Sequence, residues 1–130
     1  MIDHYDPKLA PDPKEWLALD EGERHILVLQ FHRDARIPLP KSARSTHVAI
    51  HTIVENQLAM EDQEIVRTAL VRLMEQGLNR HDAIHAIGSV LIVHLYDILY
   101  NDPKEPVFPP DHAAYYTALS QLSAEKWLHG

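Results

Sequence analysis

Two segments of the chain pair histidines four residues apart. The first reads HVAIHTIVE from His47 to Glu55, and the second reads HDAIH from His81 to His85. On an α-helix, residues four apart are neighbours, with Cβ atoms roughly 5 to 6 Å from each other. His47, His51 and Glu55 would therefore form one ladder, and His81 with His85 another. Two imidazoles spaced in this way can bind one metal ion.

Apolar residues flank both ladders. Ile50 and Val54 lie beside the first, while Ile84 and Ile92 lie beside the second. At helical spacing this pattern places both ladders at the border of the core.

A shared metal site needs both ladders. Helical bundles build such sites from side chains on facing helices. The helix carrying His47 must then pack beside the helix carrying His81, with the two ladders at matching height. The predicted ligands are His47, His51, Glu55, His81 and His85.

The chemistry of this ligand set limits the metal. The chain has no cysteine, so only nitrogen and oxygen ligands are present. Neutral imidazoles with a carboxylate suit zinc, iron, nickel or manganese, and an open coordination position could activate water for hydrolysis. Glu55 would be a ligand or a general base. The sequence indicates no substrate, does not decide whether the protein is an enzyme, and contains no glycine-rich loop that would predict a nucleotide cofactor.

Two other interpretations compete with a metal site. A histidine near a core is usually neutral and hydrogen-bonded, so the ladders could form a structural polar network. The helix after Gly77 is apolar nearly all round, which instead favours a non-enzymatic domain that binds a protein partner or forms homo-oligomers. His25, His32 and His94 are expected at ordinary helix positions, with an outer-shell role as the alternative. Charged side chains are expected to form a solvated face, namely Arg67, Arg72 and Glu75.

Charge and composition exclude several partners. The net charge is −7, from 19 acidic and 12 basic residues, which disfavours nucleic acid and anionic membranes. The acidic, proline-broken N-terminus resembles no secretory signal, and the apolar stretch from Ala83 to Tyr96 has the length of a core helix. We expect a soluble cytoplasmic protein.

Local signals at helix ends predict the elements. Residues 1–11 are expected to form an N-terminal tail, and residues 12–130 a single domain. Asp12 followed by Pro13 predicts a short first helix. Asp20 with Glu23 predicts a capping box and a helix to about Arg33.

The second half of the chain is more regular. Ser45 is the expected N-cap of a helix from Thr46 to Met60. The next helix should span Asp62 to Gln76, with Gly77 as its left-handed cap. Asn79 should then start a helix to about Tyr100, so that a short connection makes an αα-hairpin. A last helix capped by Asp111 could restart at Ser123. These signals predict an all-α, single-domain bundle of five to six helices.

Two phrases resemble an uncharacterised bacterial family, one of the domains of unknown function. They are HVAIHTIVENQLA and, between Val66 and Leu91, VxxxLxRLxxxGLxRHDAIHAIGSVL. The resemblance covers about a third of the chain. It implies a small helical domain with histidines at the four ladder positions and Glu55 in the first phrase, and it implies no activity.

Overall fold

The computed structural model of the chain describes residues 2–35, 41–98 and 113–129. This part of the chain contains seven helices and no strand, which confirms the all-α prediction. The helices are Pro13–Ala18 (α1), Glu21–Asp34 (α2), Lys41–Ala59 (α3), Glu64–Glu75 (α4), Arg80–Tyr96 (α5), Ala113–Gln121 (α6) and Ala124–His129 (α7). By their contacts, the residues divide into two compact units, Met1–Glu64 and Ile65–Gly130. The single domain over residues 12–130 stays a prediction.

The predicted caps of the first two helices are present. The Asp12 side chain accepts a hydrogen bond of 3.0 Å from the backbone N–H of Glu15, and Pro13 opens α1. Asp20 and Glu23 form the reciprocal capping box at 2.7 and 3.4 Å. Each cap satisfies backbone donors that a helix leaves without an internal partner.

A buried arginine holds the other end of α1. Arg24 donates hydrogen bonds to the carbonyl oxygens of Trp16 at 3.0 Å, Leu17 at 2.9 Å and Leu19 at 2.7 Å. Because α1 has only six residues, it cannot be stable on its own, and tertiary contacts must supply its stability. The guanidinium of α2 therefore fixes α1 in place.

The core of the first unit forms where α1 and α2 pack on α3. Trp16 is fully buried there, and its indole N–H donates to the Asn56 side chain at 3.0 Å. Val28 of α2 and Val48 of α3 are also fully buried. Tyr5 belongs to the same core, although it comes from the segment that the sequence predicted as a tail.

The helix that carries the first ladder begins earlier than predicted. The sequence assigned Ser45 as its N-cap, but α3 begins at Lys41, so Ser45 lies inside the helix. Lysine, alanine and arginine are favourable helix residues, which allows the extra turn to form. His47 therefore lies in the second turn of α3 rather than in its first.

The connection between α4 and α5 follows the predicted pattern. Gly77 has a φ of 108°, a conformation that side chains with a Cβ rarely adopt. The N–H of Gly77 bonds to the carbonyl of Met74 at 3.0 Å, and that of Leu78 to the carbonyl of Leu73 at 3.1 Å. This is a Schellman motif. Asn79 then caps α5 by accepting from the N–H of Asp82 at 2.8 Å.

The C-terminal helices are tied to α4 by side-chain caps. Arg72 donates to the carbonyl oxygens of Leu119 and, at 3.2 Å, of Leu122, so it caps α6. The prediction that Arg72 lies on a solvated face is therefore wrong, because it satisfies the end of a helix distant in sequence. The backbone N–H of Ala124 donates to the Gln76 side chain at 2.8 Å. The predicted restart after Ser123 is present as α7, which accounts for the seventh helix.

Helix α5 buries one side and exposes another. Ala83, Ile84, Ile87 and Leu91 are buried, and the helix contacts α6 and α7. On the other side lie the exposed residues Ile92, Val93 and Tyr96. Its predicted end at Tyr100 and the predicted cap Asp111 lie outside the described residues. Among the described helices, none has the length and hydropathy needed to cross a membrane.

Candidate metal centre

Three imidazoles of the first unit lie close to one another. Helix α2 provides His32, and α3 provides His47 and His51. The ring centroids of His32 lie 4.8 Å from His47 and 5.1 Å from His51, and those of His47 and His51 are 6.4 Å apart. The interplanar angles of these pairs are 80°, 89° and 75°.

These separations are close to those of a tetrahedral metal site. With a Zn–N distance of about 2.05 Å, an imidazole centre lies about 3.2 Å from the ion, and two such ligands have centroids about 5.2 Å apart. Two of the three observed separations lie within half an ångström of this value. The third separation, 6.4 Å between His47 and His51, is longer.

The hydrogen bonds of His32 fix its orientation. Its Nδ1 lies 2.8 Å from the carbonyl oxygen of Val28, one turn earlier in α2. Because a carbonyl only accepts, Nδ1 carries the proton and donates it, which leaves the lone pair on Nε2. The Nε2 of His47 lies 3.1 Å from this atom. Two nitrogen ligands of a tetrahedral zinc ion are about 3.3 Å apart, so these atoms are almost at ligand spacing.

Burial keeps two of these imidazoles neutral. It lowers the pKa of His32 below the ordinary value of 6.5, against the opposing effect of the Val28 carbonyl. Burial also lowers the pKa of His47, and the charge that His32 would carry lowers it further. A neutral imidazole is the form that binds a metal.

The third imidazole is held by a tyrosine and a carboxylate. The Tyr5 hydroxyl lies 2.7 Å from the Nε2 of His51 and donates a hydrogen bond to the Oε2 of Glu55. All three side chains are almost completely buried, with exposures of 3% for Tyr5, 2% for His51 and 1% for Glu55. Burying a carboxylate costs free energy unless it is hydrogen-bonded, so the hydrogen bond from Tyr5 stabilises Glu55 in its buried position.

The second unit carries the other predicted pair. His81 and His85 lie one turn apart on α5, both half-buried, with ring centroids 4.2 Å apart. Each offers a ring nitrogen within 4.8 Å of the other, as do His32 and His51 in the first unit. Both pairs thus have nitrogen spacings at which a metal ion could be held.

The structure brings together the predicted residues within each unit and adds two that the sequence missed. His47, His51 and Glu55 lie on one side of α3, but His32 and Tyr5 complete the cluster around them. His32 was expected at an ordinary helix position. The sequence feature that could have identified His32 is its position one turn after Val28, on the buried side of α2. His94 does occupy an ordinary position, since it stacks on Tyr115 at 5.5 Å.

Comparison of the chain with protein-family models, with curated proteins and with solved structures gives no significant match. The resemblance to a bacterial family of unknown function therefore stays a prediction. The assignment of function must come from the side chains themselves.

Proposed function

We propose that the chain is a transition-metal-binding protein whose main ligands are imidazole nitrogens. The observation that carries this proposal is the pairing of His32 with His47. The Nδ1–H of His32 is donated to a backbone carbonyl, and its Nε2 lies 3.1 Å from the Nε2 of His47. Metal-binding histidines are commonly oriented by donating their second ring N–H in this way.

Binding would replace one hydrogen bond. Without a metal, the Nε2–H of His47 donates to the lone pair of His32. With a metal bound, His32 and His47 would each offer Nε2 as the ligand atom, and His47 would carry its proton on Nδ1. The burial that lowers the pKa of both rings favours this exchange near neutral pH, because no positive charge has to be removed first.

The ligand set of the proposal lies within the first unit. His32, His47 and His51 supply three nitrogens, with Glu55 as a ligand or a base beside them. Three nitrogen ligands leave one position open on a four-coordinate ion. That His81 and His85 share this ion stays a prediction from the sequence. Zinc, iron, nickel and manganese suit such a set, and a remaining open position would activate water for hydrolysis.

A cytoplasmic location is part of the same proposal. The chain contains no cysteine and therefore no disulfide, which fits a reducing compartment.

The test is the metal content of the full chain purified without a histidine tag. Elemental analysis should find about one equivalent of a transition metal, and zinc should rebind the stripped protein in competition with a chelator. His32→Gln should lower zinc affinity at least tenfold. His25→Gln and His129→Gln are the matched controls and should leave it unchanged.

Two results would contradict the proposal. If the stripped chain takes up no zinc, cobalt, nickel or manganese at micromolar concentration, metal binding is wrong. If His32→Gln binds zinc as tightly as the wild type, the metal binds elsewhere and the ligand set of the first unit is wrong.

A second candidate function is supported by the exposed apolar residues of α5. Ile92 is 41% exposed, Val93 60% and Tyr96 57%. Grouped apolar side chains of this kind are typical of protein contacts. This hypothesis predicts an oligomer in solution, measured by light scattering, that dissociates on Ile92→Lys, whereas the metal proposal predicts no dependence of zinc affinity on that change.

A further inference from the structure

The segment before α1 reaches into the core through Tyr5. Residues 2–12 contain no helix, yet Tyr5 is 3% exposed. Its ring lies 5.5 Å from that of Trp16 and meets the rings of Phe31 and His51 edge-on at 6.2 and 5.6 Å. Aromatic packing therefore fixes the direction of the Tyr5 hydroxyl.

The protons of this cluster can be counted. A tyrosine hydroxyl has one hydrogen, and here it is donated to Glu55. The contact of 2.7 Å between the same oxygen and His51 Nε2 must then use a hydrogen from the histidine. A neutral imidazole carries one N–H, so His51 has its proton on Nε2 and its lone pair on Nδ1.

We propose that Tyr5 is a positioning residue for the metal centre: with Glu55 it fixes His51 as the Nε2–H tautomer, so that Nδ1 is the atom that binds the metal. This inference rests on the proposed function and specifies how one of its ligands works. Glu55 acts on the ion through Tyr5 and His51, as a carboxylate behind a ligand does in many metal sites.

Two roles were left open for Glu55, metal ligand and general base. The arrangement favours a third, in which Glu55 supports a ligand through Tyr5. A carboxylate that accepts the Tyr5 hydroxyl supports the His51 N–H in turn, and this raises the basicity of the opposite nitrogen. His32 is oriented by the same principle, with a backbone carbonyl in place of the tyrosine. The two rings therefore present different nitrogens, Nε2 from His32 and Nδ1 from His51.

The first test is the tautomer, measured in the metal-free full chain by ¹⁵N NMR of the histidine rings. In the wild type, His51 should show a protonated Nε2 and an unprotonated Nδ1. Tyr5→Phe keeps the ring but removes the hydroxyl, so the preference for this tautomer should be lost. Tyr116→Phe removes a hydroxyl in the second unit and should leave His51 unchanged.

The second test is zinc affinity. Loss of such a supporting hydrogen bond typically costs 10- to 100-fold in metal affinity. Tyr5→Phe should fall in this range, and Tyr116→Phe should equal the wild type. Glu55→Gln keeps the tyrosine but removes the negative charge behind it, so it should also weaken zinc binding. It provides an independent test if Tyr5→Phe is poorly folded.

The outcomes separate this inference from the function on which it rests. If His51 carries its proton on Nδ1, or if neither Tyr5→Phe nor Glu55→Gln changes zinc affinity, the positioning role is wrong and metal binding stands. If the wild type binds no metal, the proposed function is wrong and the ligand role of Nδ1 is lost with it.

Discussion

The Nε2 atoms of His32 and His47 lie 3.1 Å apart, although the two residues belong to different helices. One of these atoms is fixed as an acceptor by the Val28 carbonyl. A pair of nitrogens this close must share either a proton or a cation. The behaviour of the candidate metal centre depends on whether these two nitrogens share a proton or a metal ion.

Removing the Nε2 atom of His32 should weaken metal binding. His32→Gln keeps a polar side chain but replaces the ring nitrogen, so zinc affinity should fall at least tenfold. Isothermal titration of the stripped protein measures the change. His25→Gln makes the same substitution two turns earlier in α2 and should bind zinc like the wild type. Equal weakening in both variants would show an effect on the helix rather than on a ligand.

The metal-free chain should lose stability in mild acid. Burial lowers the folded pKa of His32 and His47, whereas the unfolded chain keeps the ordinary value of 6.5. Between the lowered values and 6.5, the unfolded chain binds more protons, so the free energy of unfolding rises with pH. The contribution is fully present above 6.5 and is lost as the pH falls through 6.5 towards the lowered values.

Urea unfolding between pH 8 and pH 5 measures this dependence. The double variant His32→Gln with His47→Gln should show a shallower loss of the urea midpoint across that window. His25→Gln with His129→Gln is the matched control and should follow the wild type. A double variant as acid-sensitive as the wild type would place the responsible groups elsewhere.

Arg24 should contribute strongly to the stability of the first unit. Arg24→Met keeps the aliphatic stem but leaves three carbonyl oxygens without their charged donor. Each unsatisfied buried group costs about 1 to 3 kcal/mol, and we expect a total loss of about 2 to 4 kcal/mol because water will reach some of them. Chemical denaturation measures the loss. Arg33→Met, at an exposed position of the same helix, should change stability by less than about 0.5 kcal/mol.

Whether the sequence predicted a contact depends on how many residues separate its two partners. The caps at Asp12, Asp20, Asn79 and Gly77 use partners within five residues, and the sequence predicted all four. The N-cap prediction at Ser45 is wrong, because a good N-cap residue is also tolerated inside a helix when residues of high helix propensity precede it.

The sequence predicted residues of the candidate metal centre only where their spacing is helical. His47 and His51 are four residues apart, and so are His81 and His85. By contrast, Tyr5 reaches His51 across 46 residues, and His32 reaches His47 across 15. Arg24 and Arg72 act on the ends of other helices in the same way. No periodicity encodes such contacts, since they depend on how the helices pack.

Gly77 offers a test of backbone conformation alone. Its φ of 108° lies in the region that L-residues avoid, but a Cβ built there meets nothing within 4 Å. Gly77→Ala should therefore create no clash and should cost only the backbone strain, about 1 to 2 kcal/mol. Gly77→Asn should cost less, because asparagine tolerates positive φ better than alanine does. Glu75→Ala introduces the same residue at an exposed helical position two residues earlier and should be nearly neutral. Urea midpoints should therefore rank Glu75→Ala with the wild type, then Gly77→Asn, then Gly77→Ala. If Gly77→Ala unfolds at the wild-type midpoint, the connection between α4 and α5 adopts a different turn, and the start of the helix that carries His81 and His85 is not fixed by this cap.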